Sequence, residues 1–130
     1  MSINSPPTAA PRPLILVVDD EVDITDTYAM LFELHEFRVM TASDGVDALA
    51  KARRAMPDIV VSDCMMPLMN GIEFCIALRA LPGGQRVPVI LSSGAPELHD
   101  LSQSRHDLFL RKPIFFEHLL DQVQRLLSTR

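Results

Sequence analysis

Five consecutive apolar residues, Leu14-Ile15-Leu16-Val17-Val18, run straight into Asp19-Asp20-Glu21. A strand with one wet face alternates apolar and polar residues, whereas a parallel strand covered on both faces is apolar throughout. The run therefore predicts a strand buried between two layers. Two other runs end alike, Ile59-Val60-Val61-Ser62 at Asp63 and Phe109-Leu110-Arg111 at Lys112-Pro113. If these strands are parallel neighbours, their ends share one edge of a sheet.

The segments between them carry helical spacing. Asp20 to His35 places Ile24, Tyr28, Leu31 and Phe32, and then Leu34, near one stripe; Phe37 to Ala42 reads as a second strand. Asp44-Gly45 opens a helix with Val46, Leu49, Ala50 and Met56 on its apolar side, and Pro57 ends it. After the third strand, Ile59 to Asp63, the Asn70-Gly71 turn leads into a helix with Ile72, Phe74, Cys75 and Leu78, which stops at Pro82-Gly83-Gly84. Val87 to Ser93 reads as the fourth strand and Asp107 to Arg111 as the fifth. From Pro96 to Ser104 only Leu98 and Leu101 can anchor a helix, so one there should be short or irregular. Ile114 to Leu127 closes the chain with a stripe of Leu119, Leu120, Val123, Leu126 and Leu127. Strands alternating with helices imply an α/β fold, with a parallel sheet covered on both faces and ligands beyond the carboxyl ends of its strands.

Residues 1–12 hold prolines and small polar residues with nothing to pack, and read as a flexible leader before a single domain over 13–128. The net charge of −5 and scattered basic residues argue against direct nucleic-acid binding. Cys64 and Cys75 match no metal spacing and read as reduced core residues. No signal peptide or membrane-length apolar run appears, so a cytoplasmic protein is expected.

Asp19, Asp20, Asp63 and Lys112 would converge on one small volume. Crowded carboxylates repel unless a cation sits among them, which calls for a divalent metal beside the lysine. A hard ion such as Mg²⁺ takes few carboxylates and accepts phosphate oxygens in its remaining positions. That arrangement suits transfer of a phosphoryl group to a carboxylate.

Over about residues 13 to 127 the chain resembles the receiver domain of two-component response regulators. The resemblance is carried, in order, by Val17-Val18-Asp19-Asp20-Glu21, Ala42-Ser43-Asp44-Gly45 with Ala48-Leu49, and Pro57-Asp58-Ile59-Val60-Val61-Ser62-Asp63. Cys64-Met65-Met66-Pro67, Asn70-Gly71, Pro88-Val89-Ile90-Leu91-Ser92-Ser93-Gly94 and Lys112-Pro113 complete it. It implies a flavodoxin-like doubly wound sheet of five strands in order 2-1-3-4-5 with five helices. It implies that Asp63 accepts a phosphoryl group from a sensor histidine kinase or histidine phosphotransfer protein. Asp20 would bind Mg²⁺ (or Mn²⁺) directly, Asp19 largely through water, and the Met65 backbone carbonyl would be a further ligand beside Asp63. Lys112 would pair with Asp63 and then with phosphate. Ser93, five residues past Pro88 and just before the small Gly94, would be the switch hydroxyl, with Ser92 turned to the opposite face. Phe109 would be the aromatic that moves with Ser93, and Pro113 would follow a cis peptide bond.

The interval from Ser93 to Lys112 is about one helical turn shorter than is usual for the family, and His106-Asp107 replaces its small Gly-Ala pair. Met65 and Ala95 occupy the positions that tune phosphate lifetime. Neither side chain hydrogen-bonds water well, so slow self-dephosphorylation is expected. No output domain follows Leu127, so the expectation is a non-enzymatic switch, monomeric or weakly dimeric, signalling to a downstream effector by protein contact. The rival readings are an adaptor that retains the fold without phosphate and a haloacid-dehalogenase-like Mg²⁺ phosphohydrolase. The second fits Asp19 and Glu21 poorly and leaves Asp63 without a role.

Overall fold

The computed structural model describes residues 11–94, 101 and 104–129. Strands β1 (Leu14–Val18), β2 (Arg38–Ala42), β3 (Ile59–Asp63), β4 (Val89–Ser93) and β5 (Leu108–Arg111) form one parallel sheet in order 2-1-3-4-5. Around it lie α1 (Val22–Leu34), α2 (Gly45–Arg54), α3 (Gly71–Arg79) and α4 (Phe116–Ser128), with a 3₁₀ turn over Gly84–Arg86. The expected α/β fold and strand order are those observed. Among the described residues there are four α-helices. The expected helix over 96–104 lies outside the described residues except for Leu101 and Ser104, and so does the leader except for its last two residues.

Every residue of β1, β3 and β4 is buried, while β2 and β5 at the edges are partly exposed. Alternate side chains feed two cores. Leu16, Val18, Val60, Val89 and Leu91 meet Ala48, Ala52, Phe74 and Leu78 of α2 and α3. Ile15, Val17, Ile59, Val61 and Ile90 meet Phe32 of α1 and Leu119 and Val123 of α4. Burial on both faces is why these strands carry no polar alternation. The whole predicted stripe of the last helix falls on this second core. Cys64 and Cys75 are free and buried.

Three residues predicted on apolar stripes are corrected, and one of them, Ala50, is exposed between the buried Ala48 and Ala52. Leu34 is 71% exposed and Val46 50% exposed. Each lies two residues from an inward one, Phe32 and Ala48, and two helical steps rotate a side chain by about 200°. Helix α3 starts sharply because Asn70 and Glu73 form a capping box, with bonds of 2.8 and 2.9 Å. That cap fixes the chain just downstream of Asp63.

Candidate functional site

The register of the central strands builds the site. Val18 pairs with Ser62, Asp63 with Ser92, and Ser92 with Leu110. Partners on neighbouring parallel strands turn to the same face, and that face alternates along each strand. One row on the α1–α4 side therefore holds Asp19 (one past Val18), Asp63, Ser92 and Lys112 (two past Leu110). The Lys112 ammonium lies 3.1 Å from Asp19 Oδ2 and 3.3 Å from Asp63 Oδ2. Asp19 Oδ1 accepts the Glu21 N–H at 2.9 Å, and the Met65 N–H donates to Asp63 Oδ1 at 3.4 Å. The Lys112 N–H donates to the Ser93 carbonyl at 3.0 Å, and Lys112-Pro113 is cis. Beneath the acids is a cavity of about 10 Å³, lined by Asp19, Asp63, Ser92, Lys112 and Tyr28 together with valines of β1 and β3.

Carboxylate oxygens of Asp19, Asp20 and Asp63 all lie within 4.8 Å of one another, with Asp19 and Asp63 buried and Asp20 exposed. Burial pushes the Asp63 carboxyl above its ordinary value; Lys112 pulls it down and Asp19 pushes it up, and the net is a raised pKa. For Lys112, burial alone would lower the pKa, but the carboxylates of Asp63 and Asp19 outweigh it and raise it. The neighbouring Cys64 thiol is pushed up to about 12, first by burial and then by Asp63, which keeps it protonated and inert. One ammonium against three carboxylates leaves a net negative, all-oxygen cluster. That donor set fits a hard divalent cation.

The structure thus brings together Asp19, Asp20, Asp63 and Lys112, as the sequence predicts. Ser93 is buried and, by strand alternation, falls on the face of Leu91 and Phe109, and Phe109 is half-buried against the α2–α3 core. The Met65 side chain is exposed. Ala95 lies outside the described residues. Ser92 takes the face opposite to Ser93, as expected, but it is that face which lines the cavity under Asp63, because the register partner of Ser92 is Asp63 itself. Sequence reading also missed Tyr28, which it places on the apolar stripe of α1. An aromatic at an inward helical position carries no local mark that its neighbour will be an ammonium.

Glycine 71 sets the loop after β3. Its N–H donates to the Cys64 carbonyl at 3.0 Å, and a Cβ there would collide with the Asp63 carbonyl oxygen. Gly71→Ala is expected to cost about 2 kcal/mol by forcing a backbone shift. It should also displace the Met65 N–H from Asp63. Urea melts and amide shifts of residues 63–66 check both effects; wild-type stability would contradict them.

The family profile described as the response regulator receiver domain matches residues 15–124. The transcriptional regulatory protein PrrA of Mycobacterium leprae is 34% identical over 95% of this chain. The chain spans 53% of that relative and 8% of another, so it matches a part of longer proteins. Among solved structures, the chemotaxis response regulator CheY4 of Vibrio cholerae is 32% identical with a TM-score of 0.81, covering 88% of this chain and 98% of that one. The receiver domain of a sensor histidine kinase from Pseudomonas aeruginosa, solved with a magnesium ion coordinated in its active-site cleft, is 30% identical, has a TM-score of 0.78 and covers 90% of this chain and 98% of that one. Among the described residues no helix is long and apolar enough to cross a membrane. Register, acid cluster, lysine and these matches agree, and the chain belongs to the response regulator receiver domain family.

Proposed function

We propose that Asp63 is the phosphoacceptor of this receiver. The observation that carries the proposal is the placement of its buried carboxylate 3.3 Å from the Lys112 ammonium, within shared reach of Asp19 and Asp20. An Asp63 oxygen attacks phosphorus of a phosphohistidine, the N–P bond breaks with its electron pair passing to the imidazole, and a mixed anhydride forms. Asp19, Asp20, Asp63 and the Met65 carbonyl would hold a Mg²⁺ ion, which when bound neutralises charge on the phosphoryl oxygens. Lys112 exchanges its contact with Asp63 for one with a phosphoryl oxygen, and so stabilises charge that develops in the transfer. The donor is a sensor histidine kinase or histidine phosphotransfer protein, and the reader is a downstream effector protein. Ser93 and Phe109 form the switch, and Met65 and Ala95, poor at orienting water, leave the anhydride long-lived.

Incubation with acetyl phosphate and Mg²⁺ followed by mass spectrometry should add one phosphate, and Asp63→Asn should abolish it. Uptake that persists in the variant would overturn the assignment.

A stability signature accompanies this. The fold raises the Asp63 carboxyl above its unfolded value. Ionisation therefore costs stability at neutral pH, and protonation recovers it only as the pH falls through the raised folded value towards the unfolded one. In EDTA, Asp63→Asn should be the more stable protein by about 1 kcal/mol, a Tm rise of roughly 3–5 °C. Mg²⁺ at ten times its Kd stabilises a one-site protein by about 1.4 kcal/mol, and should close or reverse that gap. Equal melting curves of the two proteins in EDTA would contradict a net cost of burying the Asp63 charge.

A further inference from the structure

Ser92 is 4% exposed, and among the described residues its hydroxyl has no hydrogen-bond partner. Buried hydroxyls are ordinarily paired, and each exception calls for a reason. Two other buried serines obey the rule: Ser62 donates to the Asp63 carbonyl at 2.9 Å and Ser104 to that of Leu101 at 3.1 Å. Ser92 instead lines the cavity under the acid cluster, whose other polar walls are Asp19, Asp63, Lys112 and Tyr28. At about 10 Å³ that cavity is on the order of one water molecule, and a buried water needs two to four polar partners. The Lys112 ammonium has three donors; Asp19 and Asp63 take two of them.

We propose that Ser92 is a positioning residue for Lys112, acting through one water molecule held in the cavity between them. The water accepts the third N–H of the ammonium and donates to Ser92 Oγ. Tyr28 lines the same cavity and sits in the field of Lys112 and Asp19. The tether holds the ammonium on the line between Asp19 and Asp63, so that only one of its three contacts has to change when phosphate arrives. This role rests on the phosphoacceptor reading, but the tether itself is a property of the resting protein.

The test uses Ser92→Val and Ser92→Thr, two side chains of the same shape of which only threonine keeps the hydroxyl. The chain has two lysines, Lys51 and Lys112, so a ¹⁵N-lysine spectrum isolates the ammonium of interest. In the resting protein its hydrogen exchange should be about tenfold faster in Ser92→Val, and within twofold of wild type in Ser92→Thr. With phosphoramidate as donor, the maximal phosphorylation rate should fall about five- to tenfold in Ser92→Val, the loss of one hydrogen bond of ordinary strength. Half-saturating Mg²⁺ should stay within twofold of wild type in both variants. Wild-type exchange in Ser92→Val, or a rate loss that Ser92→Thr does not rescue, overturns the proposal. A wild-type protein that takes up no phosphate overturns the phosphoacceptor reading instead, and the exchange measurement still decides the tether.

Discussion

Replacing Arg79 by methionine is expected to destabilise the protein by about 3–5 kcal/mol, with a Tm loss of roughly 10–20 °C. Arg79 is 7% exposed at the end of α3. One of its terminal nitrogens donates to the carbonyls of Gly84 and Val87 at 2.7 and 2.6 Å. The other donates to the Arg105 carbonyl at 2.9 Å and to Asp107 Oδ2 at 3.1 Å. The same Asp107 oxygen accepts the Val89 N–H at 2.7 Å. One guanidinium therefore ties the end of α3 to the entries of both β4 and β5. Methionine fills much of the volume but leaves three carbonyls with a bond fewer and a carboxylate without its cation, and the large cost follows from those orphans. Arg79→Lys should rescue little, since one ammonium cannot span the fan that a planar guanidinium covers. Urea denaturation measures both variants, and a methionine protein within 1 kcal/mol of wild type would refute the account.

Lys112→Met should slow phosphorylation by about 100- to 1000-fold, the typical loss of one pre-placed donor to a developing charge. Mg²⁺ binding should tighten at the same time, because the ammonium no longer competes for Asp19 and Asp63. These opposite signs separate a transfer role from general damage to the site, which would weaken both. Stability should change in a third way. The Lys112 pKa is raised in the fold, so its contribution is fully present below the unfolded lysine value and is lost as pH rises through the folded one. At neutral pH in EDTA the variant is expected to lose about 1–2 kcal/mol, because two buried carboxylates then face each other unscreened. Adding Asp63→Asn should gain more in the Lys112→Met background than the about 1 kcal/mol it gains in the wild-type background, a coupling that a double-mutant cycle reads directly. Simple additivity of the two substitutions would show that Lys112 does not offset the buried Asp63 charge.

Much of the architecture is legible along the chain. Residues 14–18 announce a strand buried on both faces because water is excluded from every side chain, and no alternation survives. The acids after β1 and at the end of β3 and the lysine after β5 are visible because each terminates an apolar run. The strand order came from the family resemblance, not from periodicity, since five similar runs can be ordered in many ways. The departure at His106-Asp107 is visible as an oddity, but its reason is not: Asp107 exists to meet Arg79 and the Val89 N–H. Arg79 itself reads as an ordinary basic residue at a helix end, where cations suit the dipole.

Ser92 and Ser93 mark the boundary most sharply. They are identical and adjacent, so nothing local distinguishes them, yet one faces Asp63 and the other faces the opposite core. What the sequence by itself determined is which segments are strands and helices and which reactive groups sit at their ends, since those depend on periods of two and 3.6 residues. Which face each group takes, and which buried charge it meets, was decided only when β3, β4 and β5 paired in one register, because a shift of a single residue reverses every side chain.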